Sequence, residues 1–405
     1  MPSRRDYLGG VAGLVVATAG CTGRSGPGTA TAPPTTTGTE TETGVGTPTA
    51  TAGPTDRVET AEISGSWTHP DADAGATRST DTDPLDTVPE RVWRAEIAGD
   101  YRQVLLAGDA LYTATGGRLA RRSLADGTPS WERSFDGRVR LGAALETLYL
   151  TTGTDEPTLR PLVGEEGELP AERWNRDGVR FRCADADLVV ATANGNGRLL
   201  GLEPDGSERW SLAVEDVDLD VDVEGEVFDS VVLGPDHVFA AVESGGSAAW
   251  VAGVDRATGR VAWTDMGPNH AGLLTVTPDA VLSGGFYGKV FAWGHDGREA
   301  WKVKTTPPTG TLAFADGRVF ASANGGSTPA ITVLDGAGER LWTRASGTVL
   351  AVDAGAAYAA DDEGLVALEA GTGERRWRLD TDAVQVLPAD GGLFVLGETG
   401  LRLFA

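Results

Sequence analysis

The sequence predicts an all-β protein, an eight-bladed β-propeller of four-stranded blades. Three observations lead to this fold. Eight tryptophans recur at intervals of 35 to 53 residues, and a repeat of about 40 residues is typical of propeller blades. The segments between them alternate apolar with small or polar residues, which is the period of strands. No stretch shows a convincing 3.6-residue period, so we expect no substantial helix.

Most repeats place a tight turn a few residues before the tryptophan. Asp296-Gly297 precedes Trp301, and Thr372-Gly373 precedes Trp377. Glycine suits such turns because it tolerates a positive φ. The predicted blade tryptophans, of which the first and third lack a clean turn, are Trp93, Trp131, Trp174, Trp210, Trp263, Trp301, Trp342 and Trp377.

The two ends of the chain are predicted to build one blade together. After Trp377 the sequence supplies three strand-like runs, and near the N-terminus one strand around Trp93 has no local partners. Joining them completes an eighth blade and leaves no exposed sheet edge. Seven blades with one additional strand is the alternative.

This repeat resembles the pyrroloquinoline quinone (PQQ)-like propeller repeat. The fullest match runs from Ala357 through Leu368 to Trp377, and the resemblance covers about residues 62–405. In that family the tryptophan starts the outer strand and docks between adjacent blades, which is the structural role that the resemblance implies for the eight tryptophans here. The segment Trp67–Gly75 resembles the one that leads into such propellers.

The first residues are predicted to be a lipoprotein export signal, residues 1–21. Arg4 and Arg5 resemble a twin-arginine motif. The apolar run that follows is shorter than the roughly 20 residues that a membrane-spanning helix needs. The run ends in Gly20-Cys21, which resembles a lipobox, and that resemblance implies that Cys21 carries the lipid.

Residues 22–61 are predicted to be a disordered tether, and residues 62–405 the propeller. The tether is rich in Thr, Gly and Pro and almost devoid of large apolar side chains, so it cannot bury enough surface to offset the entropy of ordering. We expect a cell-membrane protein that a lipid anchor holds on the extracytoplasmic face.

The charge balance excludes one class of partner. The chain has 59 acidic and 34 basic residues, a formal net charge of -25. Nucleic acid binding needs the opposite sign, so we expect no nucleic acid partner. Such acidity resembles that of haloarchaeal proteins, where carboxylates maintain solubility in molar salt, and the charge therefore indicates habitat rather than substrate.

A catalytic constellation is not evident in the sequence. PQQ dehydrogenases, which share the repeat, stack their cofactor between a tryptophan and a disulfide of adjacent cysteines and hold Ca²⁺ nearby. This chain has two cysteines, far apart, and four histidines without metal-ligand spacing. Trp250 and Trp293 lie outside the repeat position and are expected to pack in the core rather than face a channel. We predict no cofactor and no catalytic residue, and expect surface histidines.

One acidic run is a weak candidate for cation binding. Asp216, Asp218, Asp220 and Asp222 alternate with apolar residues in the longest interval between tryptophans, which would place the carboxylates on one face of a strand. Oxygen-rich clusters suit Ca²⁺, but the EF-hand pattern is missing. A solvated acidic face is therefore favoured.

Together these features predict a non-catalytic, lipid-anchored scaffold that binds another extracytoplasmic protein. The architecture is similar to that of the bacterial outer-membrane assembly lipoprotein, also an eight-bladed propeller. Fold does not carry function with it, so two alternatives stay open. One is a PQQ-dependent or other extracellular oxidoreductase, and the other is a carbohydrate or surface-layer binding module.

Overall fold

The computed structural model describes residues 63–97, 99–164, 169–219, 227–244, 249–268, 272–285, 287–305, 309–323 and 331–405. Within them the chain is β-structure and connecting turns, with short 3-10 turns at Asn194–Asn196 and Val214–Asp216. Eight antiparallel sheets form an eight-bladed propeller, which confirms the predicted fold class and blade number.

The strands of blades 1 to 4 follow one another along the chain, each blade starting at the centre of the ring. Blade 1 contains Arg102–Ala107, Ala110–Thr115, Arg118–Ser123 and Pro129–Ser134. Blade 2 contains Val139–Ala144, Thr147–Thr152, Thr158–Val163, Ala171–Glu172 and Arg176–Asp177. Blade 3 contains Val179–Ala184, Val189–Ala193, Arg198–Leu202 and Glu208–Ala213. Blade 4 contains Val227–Leu233, His237–Glu243, Ala249–Asp255 and Val261–Met266.

Blades 5 to 7 repeat this order, and blade 8 takes its outermost strand from the N-terminal end of the propeller. Blade 5 contains Leu273–Val276, Ala280–Gly285, Lys289–Gly294 and Glu299–Lys304. Blade 6 contains Thr311–Ala315, Arg318–Ser322, Ile331–Asp335 and Arg340–Arg344. Blade 7 contains Thr348–Val352, Ala356–Asp361, Gly364–Glu369 and Arg375–Leu379. Blade 8 contains Gln385–Ala389, Gly392–Gly397, Gly400–Phe404 and Arg91–Glu96.

Blade 8 closes the ring as predicted. Arg91–Glu96 pairs antiparallel with Gly400–Phe404. The pairing continues through Glu90 and Ala405, whose backbone N–H groups each donate to the other's carbonyl oxygen at 2.9 and 3.0 Å. The third strand of blade 8, Gly400–Phe404, is therefore hydrogen-bonded along an edge that would otherwise be exposed.

The first strands of the blades surround the centre of the ring. Each contacts the first strand of the next blade, and the strand of blade 1 contacts that of blade 8. Apolar side chains from facing sheets fill the space between blades, with Phe239, Phe320 and Phe394 fully buried. The core is thus distributed around the ring, one layer between each pair of blades.

A β-bulge precedes the tryptophan in the outermost strand of every blade except blade 2. In blade 3, for example, Trp210 pairs with Gly201 and Glu208 with Leu202, which leaves Arg209 as the extra residue. A bulge bends its strand and redirects the neighbouring side chains. In blade 2 the outermost strand is instead interrupted around Trp174, between Ala171–Glu172 and Arg176–Asp177.

Candidate functional site

The blade tryptophans dock on the neighbouring blade. In six of them the indole Nε1–H donates to a backbone carbonyl in the turn between the third and fourth strands of the next blade, at 2.8 to 3.1 Å. The pairs are Trp93 with Leu124, Trp174 with Pro204, Trp210 with Arg256, Trp263 with His295, Trp301 with Gly336 and Trp342 with Ala370. The indole N–H is hydrogen-bonded where the ring packs against the next blade, so each dock contributes both packing and a hydrogen bond.

The glycine of each acceptor turn contacts the docked ring. A Cβ on Gly259 would lie 2.7 Å from the Trp210 ring, and one on Gly373 would lie 2.7 Å from the Trp342 ring. Both glycines also have a positive φ, +71° and +73°. The Asp-Gly and Thr-Gly turns therefore need glycine for two reasons, the backbone conformation and the close approach of the tryptophan from the preceding blade.

Two docks differ from this pattern. Trp377 in blade 7 donates to the Leu85 carbonyl at 2.8 Å, because blade 8 has no turn before its outermost strand and the incoming N-terminal chain takes that place. Trp131 is 9% exposed and packs against Tyr112, with ring centroids 6.2 Å apart. The corresponding turn of blade 2 includes residues 165–168, which lie outside the described residues.

The segment Ile63–Leu85, here called the strap, makes a complete circuit of the ring. Its backbone or side chains meet blades 8, 1, 2, 3, 4, 5, 6 and 7 in that order. The hydrogen-bonded pairs are Ser64 with Asp390, Trp67 with Leu106, Thr68 with Ala143, His69 with Ala184, Ala74 with Leu233, Gly75 with Val276, Thr77 with Phe314 and Arg78 with Val352. Each blade residue lies at the end of its first strand or directly after it, so the strap follows one mouth of the ring.

The strap also crosses that mouth. Arg78 forms an ion pair with Asp71 and donates its backbone N–H to the Asp71 carbonyl at 2.8 Å. Arg78 is bound to blade 7, and Asp71 lies between the contacts to blades 3 and 4. Blades 3 and 7 are on opposite sides of an eight-bladed ring, so this contact places the strap over the centre. We call this end of the propeller the strapped face and the other end the loop face.

His69 anchors the strap to blade 3. Its Nε2 accepts the Ala184 backbone N–H at 3.1 Å, so the ring proton lies on Nδ1, which donates to the Thr68 hydroxyl at 2.9 Å. The imidazole stacks on Phe181, with centroids 5.8 Å apart. Burial lowers the pKa of His69 to about 4, against a smaller opposing effect of Asp185. The expectation of surface histidines is wrong for His69, which is 3% exposed.

The acidic run is only partly described. Asp220 and Asp222 lie outside the described residues, as do Arg4, Arg5 and Cys21. Asp216, the first residue of the predicted strand, ends the 3-10 turn Val214–Asp216, and residues 217–219 are not in a strand, because Val214 and Val217 both turn into the core. Asp218 is exposed beside buried Leu219. In the described part of the chain no cluster of three metal-ligating side chains occurs.

The described residues do not fit a PQQ site of the dehydrogenase type. Cys183 is a free, buried thiol, and burial raises its pKa. The first strands, which surround the centre, contain no tryptophan. Trp250 and Trp293 lie in third strands and are 4% and 0% exposed, and Trp293 donates to the Asp265 carboxylate at 2.7 Å. Both belong to the packed core, as expected.

Comparisons with known proteins agree with this architecture. The family model PQQ_2, described as outer membrane protein assembly factor BamB, matches residues 247–385, from blade 4 to the start of blade 8. The resemblance to the PQQ-like repeat is thereby confirmed. The comparison with curated proteins gives no significant match.

Solved structures resemble most of this chain. BamB from Moraxella catarrhalis is 16% identical, with a TM-score of 0.58 over 78% of this chain and 97% of that chain. A europium-containing methanol dehydrogenase is 12% identical, with a TM-score of 0.58 over 83% and 90%. Quinohemoprotein alcohol dehydrogenase from Comamonas testosteroni is 12% identical, with a TM-score of 0.59 over 86% and 81%. At these identities the likeness establishes the fold, an eight-bladed PQQ-like propeller.

Within the described residues no helix is long and apolar enough to cross a membrane. The circuit of the strap and the histidine that anchors it were not predicted from the sequence. The strap has no strand periodicity, since it touches each blade through only one or two hydrogen bonds. Its one sequence signal is Trp67, which lies outside the tryptophan repeat and is 1% exposed.

Proposed function

We propose that this chain is a protein-binding scaffold that a lipid on Cys21 holds on the extracytoplasmic face of the cell membrane. The observation that carries the proposal is the strap, which ties the first strands of all eight blades together at one mouth. A ring braced in this way is a rigid platform. The loops at the loop face can then form a binding surface, because binding residues commonly lie on loops that a rigid scaffold positions.

Membrane attachment is supported by the sequence of the predicted export signal. Arg4 and Arg5, the short apolar run and Gly20-Cys21 stand in the order that a lipoprotein signal requires. A single acyl chain binds a bilayer only marginally, and two give stable anchoring. The Cys21→Ser variant is expected to leave the membrane fraction, and its retention there would contradict lipid attachment.

Protein binding is supported by the family model, whose description names an outer membrane protein assembly factor. The dehydrogenases with similar structures share the propeller, but the described residues contain no pair of adjacent cysteines against which PQQ could stack. Reconstitution with PQQ and Ca²⁺ followed by a dye-reduction assay should give no turnover. Clear turnover would show that the protein is an oxidoreductase and would contradict the scaffold function.

Partner binding can be tested directly by capture from membranes in molar salt, with the tether intact and crosslinking before solubilisation. We expect one defined protein to be recovered repeatedly, crosslinked to residues of the loop face. Recovery of no defined partner, or crosslinks only to the strapped face, would contradict the proposal. The Cys21→Ser variant is the matched control, since its folded part is unchanged while its position at the membrane is lost.

A further inference from the structure

Arginines of adjacent blades gather at the loop face. Arg138 and Arg140 border the start of the first strand of blade 2, and Arg180 and Arg182 lie in the first strand of blade 3. The guanidinium carbons of Arg138 and Arg140 lie 4.4 and 5.6 Å from the centroid of the Tyr101 ring. These five residues are here called the arginine rim.

Two arginines of the rim are exposed and have no partner among the described residues other than the tyrosine ring. Neither the Arg138 nor the Arg140 side chain forms an ion pair or a hydrogen bond there, and both residues are exposed. Elsewhere arginines commonly pair with carboxylates, as Arg176 does with Glu208 at 2.6 Å. A guanidinium that stacks on a ring keeps the N–H donors at its edge available for a carboxylate.

Arg180 and Arg182 add positive charge next to the two exposed arginines. Arg182 donates to the Asp229 and Phe228 carbonyls at 3.1 and 3.4 Å, and burial lowers its pKa to about 10, with Asp229 opposing and Arg140 and Arg180 adding to the effect. Arg180 donates to the Thr154 carbonyl at 2.6 Å. Burial and then the charge of Arg140 lower the pKa of Arg180, while Asp155 opposes. The positive charge of Arg140 thus acts on both Arg180 and Arg182.

Tyr101 is held in an unusual conformation beneath the exposed arginines. Its φ is +56°, in the left-handed region that non-glycine residues rarely occupy. Its side chain is 39% exposed. An exposed aromatic ring in contact with two exposed cations is a typical composition of a protein-binding surface, where Tyr and Arg are enriched.

A cleft of about 610 Å³ continues from the rim between blades 2 and 3. Arg180 lines it together with three carboxylates, Asp155, Glu156 and Asp177, and with Thr192. Sites for small molecules are mostly apolar and enclosed, whereas this cleft has charged walls of both signs. An extended peptide fits it better, with carboxylates at the rim and hydrogen-bond donors along the cleft.

We propose that the arginine rim binds an acidic segment of the protein partner, a refinement that rests on the proposed scaffold function. The chain as a whole carries a net charge of -25 and repels acidic peptides. Binding of such a segment is therefore confined to this cluster of arginines, which fixes where the partner docks and in which orientation. Arg138 and Arg140 supply bidentate contacts to carboxylates.

A labelled oligoglutamate peptide tests the rim, with fluorescence anisotropy as the readout at about 0.1 M salt, where charges are screened beyond about 10 Å. We expect binding to the wild-type protein that falls at least about tenfold in Arg138→Glu/Arg140→Glu, the equivalent of about 1.4 kcal/mol. The matched control is Arg260→Glu/Arg375→Glu, two exposed arginines of the strapped face with the same change in charge. It should stay within about twofold of wild type, since distant charges contribute little.

Circular dichroism and the denaturation midpoint establish that each variant is folded. Absence of oligoglutamate binding to the wild-type protein, or equal loss in both double variants, would overturn the arginine rim as a binding site. If oligoglutamate fails to bind while vesicles of phosphatidylglycerol bind and lose affinity in Arg138→Glu/Arg140→Glu, the site recognises a lipid surface and the proposal is also wrong.

Capture with the same variants separates this proposal from the scaffold function. Loss of the crosslinked partner in Arg138→Glu/Arg140→Glu, but not in Arg260→Glu/Arg375→Glu, supports both. Full recovery of the partner in Arg138→Glu/Arg140→Glu overturns the rim and leaves the scaffold intact. Recovery of no partner with the wild-type protein contradicts the scaffold itself.

Discussion

The strapped face and the loop face of this propeller are built differently. At the strapped face, the turns between third and fourth strands receive a tryptophan from the preceding blade, and the strap bonds to every blade. At the loop face, Arg138 and Arg140 are exposed without a carboxylate partner among the described residues. One face therefore concentrates contacts that hold the ring together, and the other retains polar groups available for a ligand. The difference predicts that equivalent changes cost more stability on the strapped face.

The largest effect is expected from removing the indole of the strap. Trp67 is 1% exposed, so Trp67→Ala should lower the free energy of unfolding by about 3–5 kcal/mol, as large-to-small core substitutions do. The matched change on the loop face is Tyr101→Ala, at a side chain that is 39% exposed. It should cost about 1 kcal/mol or less. Chemical denaturation measures both, and equal costs would contradict the contrast between the faces.

The pH dependence of stability should reveal the buried imidazole of the strap. Its pKa in the folded protein is about 4, below the unfolded value of about 6.5. Between these values the unfolded chain binds the proton more readily, so stability falls as the pH falls from 6.5 towards 4, by about 3 kcal/mol for this group.

The variant His69→Gln isolates this contribution because an amide oxygen can accept the Ala184 N–H without titrating. Denaturation midpoints measured across the same pH range should show a shallower slope in His69→Gln than in wild type. An unchanged slope would show that His69 does not hold the strap in its neutral form.

A smaller difference is expected from two glycines with the same backbone conformation. Gly259 and Gly178 have φ of +71° and +74°, so Ala at either position costs about 1–2 kcal/mol in backbone strain. At Gly259 the added Cβ would also meet the Trp210 ring, whereas nothing lies within 4 Å at Gly178. Gly259→Ala should therefore cost about 1–3 kcal/mol more in denaturation experiments, as overpacking does. Equal losses of stability in the two variants would show that the contact between Trp210 and Gly259 does not stabilise the ring.

Local sequence patterns were sufficient to predict the blades. The turn glycine and the tryptophan that follows it lie on one hairpin, so their spacing is visible along the chain, as in Gly297 and Trp301. The partner of each tryptophan was not predictable from that spacing. Trp263 docks on the turn of Gly297 in the next blade, a contact between residues of different repeats that arises only when the sheets are arranged in a ring.

The arginine rim has only a faint signal in the sequence. Arg138 and Arg140, like Arg180 and Arg182, are two residues apart, and residues at that spacing share a face of a regular strand. In a chain of this acidity such pairs stand out. The contact of Arg138 and Arg140 with the Tyr101 ring depends on the packing of blades 1 and 2 and on the positive φ of Tyr101, neither of which has a local pattern.

The sequence by itself determined the repeat, the number of blades and the closure of the ring by both ends of the chain, because strand period and turn chemistry are local properties and the unmatched strands had one another as partners. Only the tertiary structure decided the path of the strap, the burial of His69 and the grouping of arginines at the loop face. These depend on long-range contacts made singly, one or two hydrogen bonds per blade, and contacts of that kind leave no periodic trace along a chain.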